Sequence, residues 1–189
     1  SVVEQKKELI RAAVQELSSP ASMMSAYEAM KTLFQTVCFD FDDRDGSVGD
    51  FEVDHDFKEE IFSARVVQVV MNVSRDKEAF RPNFYHRACS TLSCLCSNSI
   101  DLATAFIANG GVEFLLKYWE AFSSDQLLLV SCFGVHQAVI ESLDKSEASA
   151  FAGMTLEKTV DVFELNHGTA GTNLYQQYCV VVSYPFRLG

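Results

Sequence analysis

The chain has 189 residues, 48% of them hydrophobic, with only nine glycines and three prolines. That is enough apolar material to bury one core or a stack of small units, and too few turn residues for an all-β fold of this length. The net charge of −11 excludes a broad basic face for nucleic acid, and no apolar run approaches the roughly 20 residues needed to span a bilayer.

The N-terminal SVVEQKKELI lacks the apolar stretch of a signal peptide, so an intracellular, cytoplasmic location with no membrane partner is expected. ELIRAAVQEL, from Glu8, reads as the first amphipathic helix. An acidic stretch follows. Residues 40 to 60 hold ten acids and two bases, Arg44 and Lys58, and so account for −8 of the −11. Within it FDDRDGSVGDFE, residues 41 to 52, follows much of the EF-hand pattern, in which oxygen ligands at fixed spacing surround a hard cation. Setting Gly46 at the glycine of the pattern makes Asp43, Asp45, Ser47 and Glu52 the ligands, but Phe41 stands where the first carboxylate belongs. The expectation is a solvated loop with no metal and no cofactor, and a calcium-responsive module is the alternative.

Downstream the helical periodicity recurs in blocks. VVQVVMNVSRD from Val66, VEFLLKYWEAF from Val112 and TLEKTVDVFEL from Thr155 each read as an amphipathic helix, with starts 46 and 43 residues apart. Each is followed by a longer apolar segment, from Asn83, Asp125 and Asn173 respectively. Shorter helices fill the gaps: SIDLATAFIANGG with a Ser99 cap and a stop at Gly110 and Gly111, and KSEASAFAGM with a Ser146 cap and a stop at Gly153. The two share A-[TS]-A-F, at Ala103 to Phe106 and Ala148 to Phe151. A period near 45 with two or three helices per unit is the signature of a helical solenoid.

The six cysteines sit in apolar helical stretches. Cys94 and Cys96 point about 200° apart on a helix, and Cys89 and Cys96 lie about 10 Å apart along its axis, so neither pair makes a disulfide or a metal bite. Small buried hydrophobes are the expected role. The motifs GxSxG, GxxxxGK[ST], HExxH and CxxC are missing, and His55, His86, His136 and His167 are scattered. No enzyme is expected, the sole candidate for nucleophilic chemistry being a pairing of Cys132 with His86 across units.

The run from Arg87 to Phe122 resembles an armadillo repeat: ACSTLSCLCSNS is similar to the end of that family's third helix and IANGGVEFLLKYW to its turn into a second helix. The resemblance implies an all-α, right-handed armadillo-like superhelix of three to four repeats, or the closely related HEAT packing. Its parts would be a partial unit over 4–40, an acidic inserted loop over 41–55, and units over 56–97, 99–143 and 144–184, the whole being a piece of a longer protein. The 58 residues from Glu8 to Val66, against 46 and 43 elsewhere, measure that insertion. Stacked third helices line a concave groove suited to an extended peptide or helix, which implies a non-enzymatic protein-interaction scaffold. The groove residues expected from helical spacing are His86, Ser90, Ser93 and Ser97, then Phe133, His136 and Gln137, then Gln176 and Gln177. The tryptophan and asparagine ladder that reads nuclear localisation signals in some armadillo proteins is missing, because the lone Trp119 falls on a second helix. Trp119 is expected in the core, and exposed end faces are expected to pair two copies of an isolated fragment.

Overall fold

The computed structural model describes residues 2–37, 65–75, 82–97, 99–121 and 125–166. Among them are eight α-helices and no strand: α1 (Val2–Ser18), α2 (Met23–Val37), α3 (Val66–Ser74), α4 (Pro82–Cys96), α5 (Ile100–Ala108), α6 (Gly111–Ala121), α7 (Gln126–Ser142) and α8 (Lys145–Asn166). The acidic stretch 41–55 and the segment after 166 lie outside the described residues.

Local chemistry sets the helix boundaries. Between α1 and α2, Ser22 and Ser25 cap each other reciprocally, each backbone N–H donating to the other's hydroxyl at 2.9 and 3.0 Å. Ser99 caps α5 by accepting from the Leu102 N–H, and Asp125 caps α7 by accepting from the Leu128 N–H. Gly110, at φ 81°, turns the chain from α5 into α6 through the left-handed region that favours glycine. The next residue, Gly111, is pressed so close to the buried Phe106 ring that an added Cβ would lie 2.3 Å from it.

The structure differs from expectation at α8. A stop was expected at Gly153, but the helix runs unbroken from Lys145 to Asn166. An isolated glycine costs a helix only about 1 kcal/mol. Nothing at Gly153 resembles the Asn109-Gly110-Gly111 turn: its φ is ordinary and no atom of another group lies within 4 Å of the Cβ position. The cap also shifts, from Ser146 to Asp144, whose carboxylate accepts from the Glu147 N–H at 2.9 Å.

The amphipathic helices pack as two rows. In one, α4 lies between α2 and α7; in the other, α1 packs on α3 and α6 packs on α8. The short α5 bridges the rows, touching α3, α4, α6 and α7. One continuous apolar core runs from Ile10 in α1 to Phe151 in α8. Ala88, Leu92 and Leu95 of α4 face it as expected, and Cys89, Cys94 and Cys96 are buried, also as expected; Thr91 is buried too, because α4 is covered from both sides.

Candidate functional site

The residues expected to line a groove divide into three groups. His86, Ser90, Ser93 and Ser97 form a half-buried stripe along α4, at the i, i+4, i+7, i+11 spacing of one helix face. Their polar atoms are engaged within the fold. Ser90 and Ser97 donate back to the carbonyls of His86 and Ser93, at 2.9 and 2.8 Å, and Ser93 donates across to the Gly134 carbonyl of α7 at 3.2 Å. The His86 Nδ1 meets the Ser131 hydroxyl. Burial, seconded by the neighbouring Arg87 charge, holds the His86 pKa below its ordinary value, against an opposing pull from Asp125.

Phe133 and His136 form the second group, and the structure corrects their expected exposure: they are 1% and 2% exposed. The reason is that α6 and α8 both pack on α7 there, Trp119 of α6 covering Phe133 and α8 covering His136. Trp119 of α6, in the core as expected and fully buried, stacks on Phe133 with ring centroids 5.3 Å apart and meets His136 edge-on at 5.4 Å. His136 in turn lies against Phe151 of α8 at 5.1 Å. Its Nε2 bonds Thr155 Oγ1 at 2.6 Å, and that hydroxyl is within 3.2 Å of the Phe151 and Ala152 carbonyls. A hydroxyl that donates to those carbonyls must accept from the imidazole, which places the ring proton on Nε2. Burial lowers the His136 pKa to about 3, so the ring is neutral near pH 7.

Gln137 is half-buried on α7 and donates to Glu141 at 2.8 Å. The third group, Gln176 and Gln177, lies outside the described residues, as do Asp43, Asp45, Ser47 and Glu52 of the acidic loop. No cluster of three or more metal-ligating side chains exists among the described residues, and none of their helices is long and apolar enough to cross a membrane.

The pairing of Cys132 with His86 does not form. Cys132 Sγ instead lies 3.8 Å from Cys89 Sγ in the buried face between α4 and α7. Its thiol pKa is raised by the hydrogen bond with Cys89 and by burial, and burial likewise raises that of Cys96. Cys94 departs from the small-hydrophobe expectation: it is disulfide-bonded, and its partner is not one of the free cysteines Cys89, Cys96 and Cys132.

One surface residue has no sequence signal. Arg87, half-buried beside the α4 stripe, holds its guanidinium 5.0 Å above the ring of Phe34 in α2, a cation–π contact. The two residues lie too far apart in sequence for local periodicity to reveal the pairing.

No protein-family model matches the sequence, and no curated protein is significantly similar to it. Among solved structures the fold resembles an engineered protein known from its crystal structure, with a TM-score of 0.67 at 15% identity. That match covers 95% of this chain and 63% of the engineered one. At this identity the likeness concerns the fold.

Proposed function

We propose that the chain is an armadillo-like right-handed superhelix of three to four units, serving as a non-enzymatic scaffold that binds an extended peptide or helix of a partner protein. The observation that carries this reading is the interval at which the helices touch. Tyr118 in α6 donates to the Ser74 carbonyl of α3, 44 residues earlier. His86 meets Ser131 at a separation of 45, Cys89 meets Cys132 at 43, Ser93 reaches Gly134 at 41 and Ser142 reaches the Cys96 carbonyl at 46. Nearly constant separations between successive layers are what a stack of similar units produces. The engineered neighbour supports only the overall helical arrangement. The row α2, α4, α7 is then the row of third helices, and the half-buried stripe on α4, flanked by Arg87 and Gln137, is the middle of the binding groove.

The test compares the chain with a Ser90→Arg, Ser97→Arg double variant, whose long cations fill the α4 stripe without entering the core. Proteins captured by each from a cell extract at physiological salt are identified, and hydrogen exchange on the reconstituted complex locates the contact. A partner that binds the parent chain, protects α4 and α7 and is lost with the double variant supports the groove. Equal capture by both proteins, or protection confined to other helices, overturns it.

A further inference from the structure

The polar and sulfur groups between α4 and α7 form a seam, and at its centre two reduced thiols from different layers touch. Cys89 Sγ and Cys132 Sγ are 3.8 Å apart, with the residues 0% and 1% exposed. A disulfide needs about 2.05 Å between sulfurs, so closure asks for a small approach of side chains already in contact. We propose that Cys89 and Cys132 are a redox-responsive pair, and that oxidation by a peroxide closes a disulfide pinning α4 to α7.

The chemistry balances with the peroxide alone. One thiolate attacks a peroxide oxygen, forming a sulfenic acid and releasing hydroxide. The second thiol then displaces that oxygen as water, forming the S–S bond. Each sulfur loses one electron and the peroxide gains two. The closed seam disfavours the first step, because burial and the mutual hydrogen bond keep the Cys132 thiol protonated and the thiolate is the nucleophile. The reaction therefore waits for transient separation of the two helices. Once one sulfur is oxidised, its partner is the nearest available thiol, so disulfide formation outruns further oxidation. Cys96 provides the internal contrast. It is equally buried on α4, but its sulfur faces the Leu102 carbonyl at 3.8 Å and, among the described residues, no other thiol.

The proposal is independent of the scaffold reading, since its test involves no partner. The folded chain is treated with hydrogen peroxide, quenched by alkylation, and mapped with two proteases under non-reducing conditions, so that cuts between Cys89, Cys94 and Cys96 separate the new bond from the disulfide at Cys94. The expected result is a linked Cys89–Cys132 peptide appearing while Cys96 stays alkylatable. Because the bond closes a loop of 43 residues, Tm should rise by roughly 5 to 10 °C and return on reduction. The same treatment of Cys132→Ala should give sulfenic or sulfinic acid at Cys89 and no rise. Absence of the linked peptide at a dose that oxidises the unfolded chain overturns the proposal, as does oxidation of Cys96 at the same rate as Cys89. Both outcomes are read on the unmutated protein, so a variant that misfolds does not obscure them.

Discussion

At the residue scale, the most consequential side chain is His136, which the helical period alone placed on a surface. Its ring is neutral and lies against Trp119 and Phe151, with Thr155 as its hydrogen-bond partner. Unfolding frees it to bind a proton below its ordinary pKa of 6.5, whereas in the fold it does so only near 3. The unfolded state therefore holds more protons between those values, and stability falls as pH drops from 6.5 toward 3, by up to about 1.4 kcal/mol per pH unit. Thermal unfolding of the parent and of His136→Phe across that range should give curves that diverge, with the variant losing less on acidification; parallel curves would refute the assignment. Tyr118 is a second such residue. Its hydroxyl is the described bond from α6 to α3, and Tyr118→Phe should cost about 1 to 2 kcal/mol by chemical denaturation, since a buried carbonyl loses its donor.

At the element scale, three glycines call for different outcomes from the same substitution. Gly110→Ala should destabilise by about 1 kcal/mol, because φ 81° strains any residue with a Cβ. Gly111→Ala should cost more, on the order of 2 kcal/mol or above, because the buried Phe106 ring must shift. Gly153→Ala, inside an uninterrupted exposed turn of α8, should stabilise by about 0.5 to 1 kcal/mol. Denaturant midpoints of the three variants check the order and the opposite sign. These residues also show what was legible in the sequence. The Ser99 cap, the turn at Gly110 and the starts of α3 and α6 depend on chemistry within a few residues, and they emerged from local pattern. The fusion across Gly153 did not, because a lone glycine permits either a stop or a continuation and packing decides between them. Phe133 and His136 were misplaced for a related reason: the side of α7 that meets solvent depends on Trp119 of α6 and on α8 lying over it, which no period within α7 encodes. The touching of Cys89 and Cys132 was equally out of reach, since a one-residue change of register between layers would separate them.

At the scale of the whole molecule, helices covered on both sides should be the last to open. α4 lies between α2 and α7, and α7 in turn is covered by α4, α5, α6 and α8, whereas among the described helices α1 packs chiefly on α2 and α3. Local opening starts where a helix has the fewest packed neighbours and spreads toward the better-covered ones. Hydrogen exchange should show the slowest amides in the middle turns of α4 and α7 and faster exchange throughout α1. Uniform protection would mean instead that the chain opens as one unit.

Three of the bonds between helices distant in sequence share a form: a hydroxyl, from Ser93, Ser142 or Tyr118, donates to a main-chain carbonyl, of Gly134, Cys96 or Ser74. A carbonyl is present whatever side chain its residue bears. The chemical information that aligns these helices is therefore written on one side of each contact and read by a partner that carries none. Codon randomisation at these six positions should return an asymmetric result, with hydroxyl residues retained at Ser93, Ser142 and Tyr118, and only a size restriction at Ser74, Cys96 and Gly134. At Gly134 an added Cβ would sit at an ordinary 3.6 Å from the Ser93 hydroxyl. Such a lineage can exchange half of its interlocking residues, within the limit of size, while the geometry of the helix packing stays unchanged.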